Sequence, residues 1–218
     1  MLDSGDALCD AASLFEMGTY TILATPNLTA SINFSIGSPK AAISTRSTSH
    51  KPCRGTSDGF MGPNMLLLPY LPPKYFHDYV VNYDRPLVKA IQSTGGYARL
   101  HSHGNLKAIL QMILDLGVDG LDPCEPLRQG DLSLKEIRQQ VGEDFTLFGN
   151  IEISEIETLT EAAFRQRVQS ALEDGPNAAG SHFLLMPTAC PLGREISPTT
   201  LRNYEVMVEM ASQHPNLH

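Results

Sequence analysis

The chain has 218 residues, of which 42% are hydrophobic and 18% charged, and it carries a net charge of −8 at neutral pH. That length and apolar content can bury a core without disulfides, and the acidic balance argues against a phosphate-backbone partner. The four cysteines, Cys9, Cys53, Cys124 and Cys190, show no framework spacing, the first residues are acidic where a signal peptide would be basic, and no apolar run nears the ~20 residues of a membrane span. A cytoplasmic protein without nucleic-acid or membrane partners is therefore expected.

Cys9 to Thr25 holds a short apolar pattern that fits neither helix nor strand cleanly. Pro26 to Gly62 is dominated by Ser, Thr, Pro, Gly and Lys without a period, so residues 1–62 are expected to form an irregular, partly disordered N-terminal segment ahead of a folded portion, 63–218. Lys74 to Ser93 reads as helix, because Phe76, Val80, Tyr83, Leu87 and Ile91 recur at a four-residue step, with Pro86 expected to kink or split it.

From Tyr97 onward strand and helix patterns alternate with short connections, the mark of a parallel sheet built from βα units. The first unit is Tyr97 to His103 followed by a helix with Leu106, Ile109, Leu110, Ile113 and Leu114 on one face, ended by Gly117. The second is Val118 to Asp122, then a helix opened by Ser133 and Glu136 as a capping box and closed near Gly142. The third is Phe145 to Phe148, a Gly149-Asn150 turn, and a helix from about Thr160 to Leu172 that buries Phe164, Val168, Ala171 and Leu172. The fourth is His182 to Met186, followed by a helix capped by Ser197-Pro198 with Leu201, Tyr204, Val208 and Ala211 as its core stripe.

In such an array the C-terminal strand ends carry the chemistry, since the following loops converge on one face. His101 and His103 end the first strand, and side chains at i and i+2 of a strand share a face, so their imidazoles can converge on one point. Cys190 follows the fourth strand, and two imidazoles with a thiolate would suit zinc. Asp122 and Glu125 follow the second strand as candidate acid–base or ligand carboxylates, although Asp122 before Pro123 also suits a turn. Asn150 ends the third as a candidate substrate contact or an αL turn residue, and Glu152 beside it reads as solvated.

The run His101-Ser-His-Gly-Asn-Leu106, the strand end Gly120-Leu-Asp-Pro-Cys-Glu-Pro126, Leu147-Phe-Gly-Asn-Ile151 and Leu185-Met-Pro-Thr-Ala-Cys190 resemble, in order, the back half of the uroporphyrinogen decarboxylase superfamily, which includes corrinoid-dependent methyltransferases. Leu67 to Phe76 and Tyr83 to Leu87 fit the same pattern. The resemblance implies an α/β fold, a partial (β/α)8 TIM barrel comprising about its C-terminal half. In the methyltransferase branch it implies zinc held at the positions of His101, His103 and Cys190, with His103 standing where that branch has a cysteine. The implied reaction carries a methyl group from a corrinoid, held on a partner protein, to a thiol. The decarboxylase branch implies a metal-free site for a carboxylated tetrapyrrole, but its N-terminal arginine motif is not recognisable here. A third reading is a catalytically silent binding or assembly module that pairs with a chain supplying missing strands.

Overall fold

The computed structural model describes residues 57–61, 72–179, 181–191 and 195–214. The expectations for Cys9 to Thr25, for most of Pro26 to Gly62 and for Leu67 to Leu71 lie outside these residues. The chain divides into two compact units, Met1–Asp119 and Gly120–His218.

In the first unit, β1 (Ser57–Met61) runs parallel to β2 (Tyr97–His101), with Ser57 opposite Tyr97 and Met61 opposite His101. A strand at Ser57–Met61 is an element that the polar, aperiodic composition of its surroundings does not announce. Between the strands, α1 (Pro73–Tyr75) continues through a π-helical stretch, Phe76–Val81, into α2 (Asn82–Ser93), and Pro86 sits inside α2. The π turn accommodates one extra residue, and this rotates the buried face. Phe76 and Val80 are buried as expected, but beyond them the inward positions are Val81, Asp84 and Val88, while Tyr83, Leu87 and Ile91 are only half-buried. Asp119 ties the unit together. Its Oδ2 accepts from Ala98 N at 2.7 Å and from Gln92 Nε2 at 3.1 Å. Leu106 and Ile109 bury on the turns leading into α3 (Leu110–Leu116), which ends on Gly117 at φ 86°, a left-handed cap that glycine adopts without strain.

The second unit is a parallel three-stranded arrangement, β3 (Gly120–Cys124), β4 (Thr146–Ile151) and β5 (Phe183–Pro187), with β4 pairing to both neighbours. Pro123 has no N–H to give to the ladder, and the β3–β4 register shifts between Leu121 and Cys124. The helix α4 (Leu134–Val141) opens with the expected capping box: Ser133 Oγ accepts from Glu136 N at 3.2 Å while Glu136 Oε2 accepts from Ser133 N at 2.8 Å. A short helix, α5 (Ile153–Thr158), follows β4 directly, and then α6 (Glu161–Asp174) buries Phe164, Val168, Ala171 and Leu172. Phe164, Val168 and Leu172 are each worth roughly 1.5–3 kcal/mol of burial, and Ala171 less.

The last helix, α7 (Pro198–Gln213), has the expected Ser197 cap, with Thr200 N donating to Ser197 Oγ at 3.0 Å. Its buried face is not the expected one. Thr200, Asn203, Val206 and Met207 point inward, whereas Leu201 is 54% and Val208 64% exposed. The physical reason is that Asn203 Nδ2 donates to the carbonyls of Ile156 and Leu159, each at 2.9 Å, satisfying the open end of α5. Hydrogen bonding to a neighbouring helix end thus decides the face against the simple apolar stripe.

Candidate functional site

His101 is the last residue of β2, and His103 lies two residues past it, outside the strand. Both side chains are half-buried, and their Nε2 atoms come within 3.0 Å, with ring centroids 4.8 Å apart and planes at 74°. The convergence expected from the i, i+2 spacing is therefore realised. At 3.0 Å the two nitrogens are within hydrogen-bond distance, and which ring donates depends on the tautomers. Ser102 between them is fully buried, and its Oγ has no hydrogen-bond partner among the described residues.

In the second unit the end of β3 is wholly buried. Asp122 is 3% and Glu125 7% exposed, with Cys124 sealed between them. Burial pushes the Cys124 thiol up to about 12, helped by the negative charges of Asp122 and Glu125. Such a thiol packs as a small apolar group and offers no thiolate. Two buried carboxylates at a strand end are candidates for a polar contact or proton transfer by their position alone.

Gly149 and Asn150 do not form a turn. They continue β4, with Gly149 opposite Leu185 and Asn150 opposite Met186. Gly149 has φ 135°, and a Cβ there would stand 3.0 Å from the Cys124 carbonyl oxygen, so only glycine lets β3 and β4 approach this closely. Asn150 is 3% exposed and is held from the side by Arg167 of α6. Arg167 Nη2 donates to Asn150 Oδ1 at 2.7 Å and to the Asn150 carbonyl, while Arg167 Nε lies 3.1 and 3.0 Å from the two Glu155 carboxylate oxygens. Glu152 is not merely solvated. It caps α5, accepting from Ser154 N at 2.7 Å, while its own N–H donates to Glu155 Oε2 at 3.1 Å.

Past β5, Thr188 is buried and Cys190 exposed. Tyr204 of α7 lies near Cys190 and Glu157, and its hydroxyl is raised by burial first and by those two groups second. Among the described residues no group of three or more His, Cys, Asp or Glu side chains lies together as a set able to hold a metal ion.

Two arginines that carry the second unit's polar architecture are absent from the sequence reading. Arg138, 8% exposed, donates to four carbonyls: Gly175 at 2.9 Å, Gly142 at 2.9 Å, Phe145 at 2.7 Å and His182 at 2.6 Å. Burial lowers its proton affinity, yet a guanidinium stays charged, so the carbonyl dipoles take the place of a counter-ion. Arg167 is the second. The only signal in the sequence is indirect: each arginine lies beside an apolar position of a helix stripe.

Comparison with known proteins is consistent with this architecture. The family model described as Uroporphyrinogen decarboxylase (URO-D) matches residues 69–214. No curated protein matches the sequence significantly. Among solved structures, a methyltransferase from Methanosarcina mazei superposes with a TM-score of 0.62 at 18% identity, over 95% of this chain and 57% of that one. The fold is thus α/β, with parallel strands and helices alternating as in part of a (β/α)8 barrel, and the chain spans little more than half the length of that structural relative.

Proposed function

The chain belongs to the uroporphyrinogen decarboxylase family, and from that premise we propose that its site serves a zinc-dependent, methyltransferase-type transfer of a methyl group from a corrinoid on a partner protein to a small-molecule thiol. The observation that supports this most is the 3.0 Å approach of His101 Nε2 and His103 Nε2. Two nitrogen ligands on a tetrahedral zinc at 2.0–2.1 Å stand about 3.3 Å apart, so the pair needs only a few tenths of an ångström to open. By the family resemblance, and not from geometry, His101 and His103 would be the imidazole ligands and Cys190 the sulfur ligand. When bound, zinc supplies the Lewis acidity that lowers the pKa of an incoming thiol. Asp122 and Glu125 would take up the proton released, and Asn150 would contact the substrate. The methyltransferase among the structural relatives supports the reaction class by likeness of fold.

Metal analysis of purified protein tests the reading. It should give about one zinc per chain, falling to background in a His101→Ala, Cys190→Ala double variant. Undiminished zinc in that variant would remove this site.

A second reading is favoured by the same distance, because 3.0 Å is also an ordinary N–H···N hydrogen bond. The two histidines would then act without metal, in decarboxylation of a carboxylated tetrapyrrole, and metal-free protein should bind a porphyrinogen tightly. A third, silent module completed by strands of another chain, draws on the edge of β5, which among the described residues pairs only with β4 and exposes Leu184. A monodisperse monomer in sizing chromatography would dispose of it.

A further inference from the structure

We infer that Arg167 is a positioning residue that locks the Asn150 amide in one orientation, so that Asn150 meets the substrate with its NH2 group and selects an acceptor oxygen, a carboxylate or a carbonyl. This rests on the reading of Asn150 as a substrate contact. A guanidinium has donors only, so the amide face turned toward Arg167 Nη2 at 2.7 Å must be the Oδ1 face, and the NH2 group points away from α6. The same Nη2 also donates to the Asn150 backbone carbonyl, which ties side chain and main chain of one residue to one fork. Glu155 in turn holds Arg167 through Nε at 3.1 and 3.0 Å, with the arginine 18% and the glutamate 28% exposed. Removing one partner of a partly buried ion pair is costly, because it leaves the other charge uncompensated.

The order of elements makes the arrangement specific. Asn150 ends β4, Glu155 lies on α5 immediately after it, and Arg167 lies on the outer helix α6, so the anchor comes from behind the strand. An asparagine held only by solvent would present donor or acceptor by a flip of its amide. With Oδ1 engaged from behind, Asn150 becomes a dedicated donor, and a substrate group that also donates would be refused because two donors would face each other. The class of group that fits is an anionic or carbonyl oxygen, so a thiol acceptor for this site carries a carboxylate or similar group beside its sulfur.

The side-chain amide signals of asparagine-15N-labelled full-length protein test this, with 3-mercaptopropionate as probe and Asn150→Asp for assignment. In the wild type the two Asn150 amide protons should give separate, slowly exchanging signals that shift as 3-mercaptopropionate is added. In Arg167→Met the pair should broaden, and the probe's dissociation constant should rise by about tenfold, a loss equivalent to about 1.4 kcal/mol. Arg167→Lys keeps the charge but not the fork, and serves if the methionine variant does not fold; it should show the same broadening to a lesser degree. Wild-type-like Asn150 signals in folded Arg167→Met or Arg167→Lys would overturn the positioning role. Broadening in the variants without any probe-induced shift in the wild type would instead overturn the substrate contact itself, leaving the Arg167–Asn150 lock as structure.

Discussion

Arg138 shows how a single side chain can close several loose ends of a fold. Its four carbonyl partners lie at the ends of α4 and α6 and at the entrances to β4 and β5, so it replaces water for groups that burial would strand. Arg138→Met should destabilise the protein by about 3 kcal/mol, the order expected when several buried acceptors lose their donor, and urea unfolding of the full chain measures it. Cysteine reactivity separates two residues that look alike in sequence. Exposed Cys190 should react with a thiol reagent at pH 8 in the native state and buried Cys124 should not, so Cys190→Ser removes one fast-reacting thiol and Cys124→Ser none. The pairing of His101 with His103 is legible in the sequence because only Ser102 separates them, although His103 lies past the strand end. The farther partners of Arg138 and Arg167 are not: Gly175 and His182 lie 37 and 44 residues from Arg138 and Asn150 lies 17 from Arg167, and only the folded unit brings them near.

At the level of elements, caps are the most legible feature and faces the least. Ser133 with Glu136, Ser197 with Pro198, and the glycine stops are local chemistry, and each stands where the pattern puts it. The faces of α2 and α7 differ from expectation because a π turn adds a residue in one case and Asn203 is recruited to another helix end in the other. Gly117→Ala should cost about 1 kcal/mol through backbone conformation alone, since φ is 86° and nothing lies within 4 Å of an added Cβ; thermal unfolding reads it. The contact between α6 and α7 carries its own pH dependence. Arg202 first, and then Arg165, hold Glu161 down to about 2, and the same two arginines lower Glu209. A carboxylate held low when folded contributes stability that is present above its ordinary value near 4.5 and is lost as pH falls toward 2. Glu161→Gln should therefore lower stability at pH 7 and flatten the acid limb by the same small amount, because solvent-facing pairs are weak, and urea unfolding at pH 7 and pH 3 reads both.

At the scale of the whole molecule, the repeated βα rhythm from Tyr97 onward is legible because each unit needs only a strand, a cap and a stripe. Which side chains meet at a strand end is less so, because that depends on how the strand and its outer helix pack, as the Asn150–Arg167 contact illustrates. Among the described residues no helix is long and apolar enough to cross a membrane. Ligand linkage gives the molecule's most discriminating prediction. If the histidine pair is a zinc site, the folded state binds metal that the unfolded chain does not gather, and zinc at a hundred times its dissociation constant should add about 2.7 kcal/mol of stability. The unfolding midpoint of metal-stripped protein should then rise on adding zinc, fall again with chelator, and stay flat in His103→Ala. A hydrogen-bonded dyad with no metal role makes the opposite demand: zinc leaves the wild-type midpoint unmoved, and His103→Ala costs the same stability with or without it.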